Sequence, residues 1–391
     1  MSVEANTGSS MAIQRSFRTI LAEVFGPLLQ ILLFVVGSAV VLSTLVIVLA
    51  ILLNGLNPDV DLLQSTLVIL LQVIIDGLGR GFLFATIALG YTMVYGVLGF
   101  INFAHGEIFM VGAFVGAGFG ATLAGSGALE GMNPFLFVVI AVLLGMAVSG
   151  LLAMATERIA YRPLRNAPRL VPLISAIGMS LFLQDAVRLI STSTGLGFNV
   201  RFQTPDLGRP ITLAEIPIGD RVAFASISSG ALIFIVSSVL MLIGLNYLVN
   251  VTKLGKAIRA VAQDRATASL MGINVNQIIA LTFLIGGALG GAAGVLFGIS
   301  VGTINPYVGF LPGLKAFTAA VLGGIGNITG AMVGGIVLGF LEAFVSSYLS
   351  LFTGGTLSGA AYADMAAFSI LVFILIFRPS GLLGEATTQK V

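Results

Sequence analysis

The 391-residue chain contains no cysteine and no tryptophan, and only 9% of its residues are charged. The absence of cysteine excludes disulfides, thiolate metal sites and thiol catalysis. A soluble domain has about 25% charged residues, so the low charge argues against a soluble fold. Without tryptophan, the aromatic residues at any membrane interface must be Tyr and Phe.

Histidine occurs once, at His105, and the sequence contains no phosphate-binding loop of the Walker A type. A lone histidine without cysteine is too few ligands for a structural zinc site. We therefore expect no enzymatic activity, no bound metal or cofactor and no nucleic-acid binding. Energy for any active process must come from a partner or from an ion gradient.

Hydrophobic residues make up 57% of the chain, and uncharged runs long enough to span a bilayer recur along its whole length. This composition predicts an all-α integral membrane protein, a polytopic helical bundle of about ten membrane segments that include short broken helices. Residues 66–76 are too short to span and should lie at the interface or continue into the next helix. The predicted segments are 28–53, 77–101, 108–126, 134–157, 171–192, 225–250, 276–301, 314–325, 328–348 and 364–378.

Lysine and arginine concentrate in four segments, 15–18, 158–169, 253–265 and 378–390. The positive-inside rule places these segments, and hence both termini, in the cytoplasm. Segment 314–325 must then cross the membrane as a short glycine-broken element rather than dip in and return. The longest polar stretch, 194–221, becomes external. The chain divides into a tail (1–27), an extra transmembrane helix with an external linker (28–65), a core bundle (66–379) and a C-terminal tail (380–391).

A polar break follows the second apolar segment, where Asn102 and the run 105–107 lie at the edge of the apolar layer. Polar groups at membrane depth are costly and are typical of transport paths. The glycine-rich segment 314–326 is a second broken element, and transporters commonly place two discontinuous helices around one site. The predicted translocation path is formed by Tyr91, Thr92, Tyr95, Asn102, His105, Glu107, Lys315 and Thr318.

Three ionisable residues of this path allow two interpretations each. His105 either lines or gates the path by protonation, or caps the broken helix by hydrogen bonding. Glu107 is either a carboxylate of the path or the partner of a nearby cation. Lys315 either extends outward to the membrane surface or faces the path. Asn102 and Thr92 are expected to satisfy backbone groups freed at the break.

The basic segment 253–272 is predicted to form a short amphipathic helix parallel to the membrane. Such a helix suits either docking into another protein or binding to anionic lipid, and periodicity leaves both interpretations open. Its expected apolar face consists of Ile258, Val261, Ala262 and Leu270, with Arg259 and Asp264 off that face.

Four stretches resemble the permease subunits of branched-chain amino acid ABC transporters: 91–107, 157–180, 253–272 and 313–326. The resemblance extends from about residue 66 to the C-terminus, so residues 1–65 inherit no role from it. In such permeases the stretch similar to 253–272 is the coupling helix that enters a cleft on the ATPase. The resemblance, with the amphipathic pattern, assigns ATPase coupling to Lys256, Arg259, Asp264, Ala266, Thr267, Ala268 and Gly272.

The resemblance implies a permease subunit of an ATP-driven importer in the bacterial inner membrane, forming the path for branched-chain or other neutral amino acids. The implied partners are a homologous second permease subunit, two cytoplasmic ABC ATPase subunits that bind ATP and Mg²⁺, an external substrate-binding protein and membrane lipid. Related importers carry urea or short amides; these tend to have Met where this chain has Phe103, which favours the amino acid branch. An ion-coupled secondary transporter is the alternative of another class, but the few, scattered membrane acids do not form a carboxylate relay.

Overall fold

The computed structural model describes residues 2–54, 61–99, 101–165, 167–168, 170–218, 221–378 and 380–384. A π-helical turn (Glu157–Tyr161) and a 3-10 turn (Arg162–Leu164) follow the fourth helix. The strands are β1 (Val200–Arg201), β2 (Ile211–Ile218), β3 (Arg221–Ile227) and β4 (Thr303–Ile304). The helices are α1 (Ser2–Asn54), α2 (Leu62–Leu98), α3 (His105–Gly125), α4 (Pro134–Thr156), α5 (Leu170–Ser193), α6 (Ser229–Val251), α7 (Lys253–Gln263), α8 (Arg265–Leu270), α9 (Val275–Val301), α10 (Phe310–Gly323), α11 (Ile328–Phe352) and α12 (Gly359–Phe377).

The described residues include nine helices that are long and apolar enough to cross a membrane, together with the shorter apolar helix α10. This confirms the all-α polytopic bundle of about ten membrane segments. Residues 66–76 belong to α2, whose 37 residues extend about 55 Å at 1.5 Å per residue. Helix α1 already begins at Ser2, so most of the expected tail 1–27 is helical. Residues 10–25 contain neither Pro nor Gly, and nothing in that stretch interrupts the helix.

Residues of three of the four predicted basic segments, 158–169, 253–265 and 378–390, lie at one end of the bundle. Arg165, just after α4, donates a hydrogen bond to Asn276 in the first turn of α9. Asn327, between α10 and α11, donates to the carbonyl of Leu383 near the C-terminus. We call this the basic end; Arg265 also lies here, at the start of α8.

The opposite end carries the four strands. Strands β1 and β4 pair antiparallel, and β2 and β3 form an antiparallel hairpin. This hairpin is the main feature that the sequence-based prediction of a polar stretch at 194–221 missed. Because β3 continues to Ile227, α6 begins at Ser229 rather than at the predicted residue 225.

Helix α10 brings the chain back to the basic end. It follows β4, which lies at the strand-bearing end, and the backbone of its last residue, Gly323, accepts a hydrogen bond from Leu383 at 2.9 Å. Its 14 residues span only about 20 Å of a hydrocarbon layer about 30 Å thick. Residues 305–309, between β4 and α10, form hydrogen-bonded turns. The chain therefore crosses here, as the charge argument requires.

Glycines bring the central helices into backbone contact. A Cβ on Gly112 of α3 would collide with the backbone of Gly291 in α9, and a Cβ on Gly291 would collide with Gly145 and Ser149 of α4. Small residues permit this approach, which increases van der Waals contact between membrane helices. Helix α1, by contrast, packs on the outside of the bundle against α2, α6 and α11, and most of its described side chains are exposed.

Candidate functional site

The break between α2 and α3 lies well inside the bundle. Helix α2 ends at Leu98, and Gly99 adopts a left-handed conformation with a φ of 73°. The side-chain oxygen of Asn102 accepts hydrogen bonds from the Ala104 N–H at 3.2 Å and from the Tyr161 hydroxyl at 2.7 Å. Asn102 thus satisfies a freed backbone group, as predicted.

His105, the first residue of α3, is buried and lies edge-on to Tyr91, with ring centroids 4.6 Å apart. It also faces Gly290, which lies near the middle of α9, so the start of α3 reaches about half the depth of that helix, while the end of α2 lies nearer the basic end. Neither imidazole nitrogen makes a hydrogen bond of standard geometry within the described residues. Asn102 makes the two side-chain hydrogen bonds described above at the break, and both interpretations of His105 stay open.

Glu107 is buried in the first turn of α3. One carboxylate oxygen, Oε1, accepts hydrogen bonds from Ser180 at 3.1 Å and Gln184 at 2.7 Å, both on α5. The other oxygen, Oε2, has no partner among the described residues. Both partners of Oε1 are neutral, and no cation pairs with Glu107 in the described part of the chain, which speaks against the interpretation of Glu107 as the partner of a nearby cation.

A small cavity of about 10 Å³ lies where the end of α2, the break and α10 meet. This volume holds about one water molecule. The cavity brings together four of the predicted path residues with one aromatic residue of α10: Tyr91, Thr92, Tyr95, Asn102 and Phe317. The hydroxyl of Thr92 has no partner in the described part of the chain, so this residue does not satisfy the backbone as expected.

A larger cavity of about 300 Å³ lies between α5 and α10, on the other side of Tyr91. Most of its lining is apolar, with the hydroxyls of Tyr91 and Ser180 as exceptions. The Ser180 hydroxyl also contacts Glu107, so the buried carboxylate lies directly behind the cavity wall. Its further lining residues are Phe103, Ile177, Leu181, Phe310 and Leu314.

Lys315 lies in an ionic cluster away from both cavities. Its ammonium is 2.9 Å from Glu342 of α11 and 2.6 Å from Asp364 of α12, and Glu342 also pairs with Arg80 of α2 at 3.1 Å. We call Arg80, Lys315, Glu342 and Asp364 the four-charge cluster. Lys315 is buried, so the interpretation that it extends to the membrane surface is wrong: two carboxylates hold it inside the bundle, and it lines neither cavity. Thr318, one turn later, is buried and bonds the carbonyl of Leu314 in its own helix.

The sequence profile of the family described as "Branched-chain amino acid transport system / permease component" matches residues 73–377. The chain belongs to this permease family.

Relatives of this permease extend across bacteria and archaea. The chain is 44% identical over 317 residues to the high-affinity branched-chain amino acid transport system permease protein BraD of Pseudomonas aeruginosa, covering 80% of the chain and 94% of BraD. It is 41% identical over 313 residues to the corresponding permease protein LivH of Escherichia coli, with the same coverage of each chain. It is 29% identical over 311 residues to the probable branched-chain amino acid transport permease protein LivH of Methanocaldococcus jannaschii, covering 77% of this chain and 89% of that protein. No solved structure matches the permease significantly.

The basic segment 253–272 of the permease forms two helices, α7 and α8, rather than one. Asp264 separates them: its backbone is extended, and its carboxylate accepts hydrogen bonds from the N–H groups of Ala266 and Thr267 and from the Thr267 hydroxyl. These bonds hold the pKa of Asp264 below its usual value. The expected single apolar face is therefore wrong, because the N-cap at Asp264 redirects the chain.

The two helices differ in how they meet the bundle. Ile258 and Val261 of α7 are buried, whereas Leu270 and Met271, at the end of α8, are 87% and 79% exposed. The other predicted coupling residues are placed as follows: Lys256 and Arg259 are exposed, with Arg259 bonding Asn250; Ala268 is buried; and Gly272 adopts a φ of 82°.

Sequence reasoning missed three contacts at the basic end. Tyr161 bonds Asn102 at the break, and Arg165 forms an ion pair with the buried Glu157. Arg265 donates to the last carbonyls of α2. The first and third contacts join residues far apart in the sequence, so local patterns carry no signal for those pairings, whereas Arg165 and Glu157 are eight residues apart.

Proposed function

We propose that the chain is the membrane-spanning permease subunit of an ATP-driven importer and forms the path by which branched-chain amino acids cross the inner membrane. The observation that carries this proposal is the family match over 73–377, which contains the break, α10 and both cavities. The relatives named above are all described as branched-chain amino acid transport permeases. None of them is described as a urea or ion-coupled transporter.

The geometry fits a substrate with an aliphatic side chain. The cavity between α5 and α10 has a volume of about 300 Å³, at the lower end for small-molecule sites, and mostly apolar walls. Two hydroxyls, from Tyr91 and Ser180, supply the few polar groups that orient a ligand in such a site. The path then passes the break, where the one-water cavity is too small for an amino acid. The described state is therefore closed at this level.

The importer requires partners that the chain does not contain. We assign to it a second, homologous permease subunit, two ATPase subunits that bind ATP and Mg²⁺, and an external binding protein. The basic end would face the cytoplasm, with both termini there. Helices α7 and α8 would dock the ATPase, because the exposed side chains of Leu270 and Met271 suit a protein cleft better than water.

Reconstitution tests the proposed function. The chain is purified with its proposed partners and placed in proteoliposomes, and uptake of radiolabelled leucine, isoleucine, valine and urea is measured with and without ATP. We expect uptake of the three amino acids that requires ATP and the binding protein. Uptake of urea alone, or uptake driven by an ion gradient without ATP, would contradict the proposal.

Cysteine scanning tests the path, since the native chain has no cysteine. Asn102, Ala104 and Thr318 are buried, so cysteines at these positions should be inert in the described state and react with small polar thiol reagents in another nucleotide state. Asp206→Cys, on the exposed strand-bearing end, should always react, and Ala141→Cys, buried in α4, never. Inert cysteines at all three positions in every state would mean that the break is structural.

A further inference from the structure

Arg265, the first residue of α8, is bonded directly to the end of α2. Its guanidinium donates to the carbonyl oxygens of Val97 at 2.8 Å and Leu98 at 2.9 Å. The last carbonyls of a helix have no partners within it, and they carry the negative end of the helix dipole. Both bonds come from one terminal nitrogen of a permanently charged guanidinium, which is well matched to this site. The contact therefore ties the docking helices to the exact point where α2 stops.

The residues that follow this contact form the break. Gly99, next after Leu98, has a φ of 73°, a conformation that glycine adopts without strain. On the far side of the break, Asn102 is bonded by Tyr161, which lies in the π-helical turn after α4. The break is thus held at two points by two different elements of the basic end, with a glycine between them.

Asn102 and residues close to these contacts in the chain form the wall of the one-water cavity. Tyr95, within the last turn of α2, and Ile101 and Asn102 line it from one side, and Phe317 of α10 lines it from the other. A displacement of the end of α2 relative to Asn102 would change the distance between these walls. Hinges of this kind are a few residues at the end of an element that absorb the backbone change.

We propose that Arg265 is a positioning residue that transmits movement of α7 and α8 to the end of α2, and thereby opens and closes the path at the break. In this arrangement the Tyr161–Asn102 bond is the fixed side and Arg265 the moving side. The inference rests on the proposed function, because it requires an ATPase that moves these helices. Arg265 acts through the α2 backbone and does not contact the substrate.

The test uses the assembled transporter in proteoliposomes, with Ile101→Cys as a reporter of the cavity. Arg265→Gln removes the charge and the paired donors, whereas Arg265→Lys keeps the charge as a single point donor. Arg158→Gln, an exposed arginine at the same end, is the charge-matched control. Three quantities are measured: copurification with the ATPase, leucine uptake per ATP hydrolysed, and reactivity of the reporter with and without trapped ATP.

We expect Arg265→Gln to keep the ATPase bound while uptake per ATP falls roughly tenfold or more, because two charge-assisted hydrogen bonds are lost. The reporter should stop responding to ATP. Arg265→Lys should give an uptake per ATP between those of Arg265→Gln and the unmodified transporter. If Arg265→Gln does not assemble, Arg265→Lys is the variant used for the test. The control should behave as the unmodified transporter.

Three results would overturn the inference. Loss of ATPase copurification with Arg265→Gln would make Arg265 a docking residue. An equal fall in uptake per ATP with Arg158→Gln would mean that the effect comes from surface charge. Normal coupling with a normal reporter response would mean that the bond transmits nothing. In each case the unmodified transporter still imports leucine, so the proposed function stands; failure of the unmodified transporter would instead contradict the function itself.

Discussion

Replacing Lys315 with methionine should destabilise the bundle through the four-charge cluster. Methionine has a similar volume, so the main change is the loss of a cation that contacts two carboxylates and whose side chain is only 11% exposed. Removing one partner of a buried ion pair costs about 3–5 kcal/mol. Arg80 still pairs with Glu342, and the Asp364 side chain is 39% exposed, so we expect the lower end of that range. A loss of about 3 kcal/mol corresponds to roughly a hundredfold change in the unfolding equilibrium.

A double substitution separates electrostatics from packing. Lys315→Met with Asp364→Asn leaves the Arg80–Glu342 pair intact and no uncompensated charge in the cluster. We therefore expect the double variant to recover about half of the free energy of unfolding that Lys315→Met loses. This corresponds to a coupling between Lys315 and Asp364 of at least about 1 kcal/mol.

Unfolding of the purified chain from detergent micelles by SDS, followed by circular dichroism because the chain has no tryptophan, gives these free energies. Thr44→Ala, whose hydroxyl bonds only its own helix on the exposed face of α1, should stay within about 0.5 kcal/mol of the unmodified chain. Equal losses for the single and double variants, or a loss below about 1 kcal/mol for Lys315→Met, would refute the idea that the cluster is one electrostatic unit.

Three further predictions follow from contacts described above. Gly112→Ala should reduce the yield of folded protein in gel filtration, because its Cβ would collide with Gly291. Gly118→Ala, on the same helix, has open space around its Cβ and should leave the yield unchanged. Equal yields for the two variants would contradict the contact. A chain starting at residue 60 should keep ATP-dependent uptake, because α1 lies on the outside of the bundle; loss of uptake with normal assembly would place α1 in the working bundle. The lowered pKa of Asp264 means that its cap is complete above the ordinary value of 3.8 and is lost only as pH falls through the still lower folded pKa. Titration of this cap should therefore not change the uptake rate between pH 7 and about pH 5. An Asp264→Asn variant, which cannot titrate at this position, should show the same pH profile of uptake as the unmodified transporter.

The membrane helices were predictable because each depends on its own apolar run. Segments 276–301 and 328–348 correspond closely to α9 and α11 for this reason. The hairpin β2–β3 was missed although half of the residues in 211–218 are Ile or Thr and the pair Gly219-Asp220 is typical of a turn. The alternation of apolar and polar residues is broken at Leu213-Ala214, where the structure has a register irregularity, so the period gave no clear strand signal.

The candidate site was predictable in part. The sequence indicates that 102–107 is a break and that 314–326 is a second short element, and the structure places residues of both around one cavity. It does not indicate that Glu107 bonds Ser180 and Gln184, or that Lys315 pairs with Glu342. Such pairings depend on which helices become neighbours, and no local pattern encodes that.

The short helix α10 also constrains how the protein is made. With 14 residues and a lysine, α10 is a poor candidate for entering lipid alone, since a central lysine costs about 2.5–3.5 kcal/mol on insertion scales. The carboxylates that neutralise Lys315 belong to α11 and α12, which leave the ribosome after it. During synthesis α10 must therefore wait at the membrane surface or in the insertion machinery until those helices arrive. A central element of the proposed path is then among the last parts of the bundle to reach its final position.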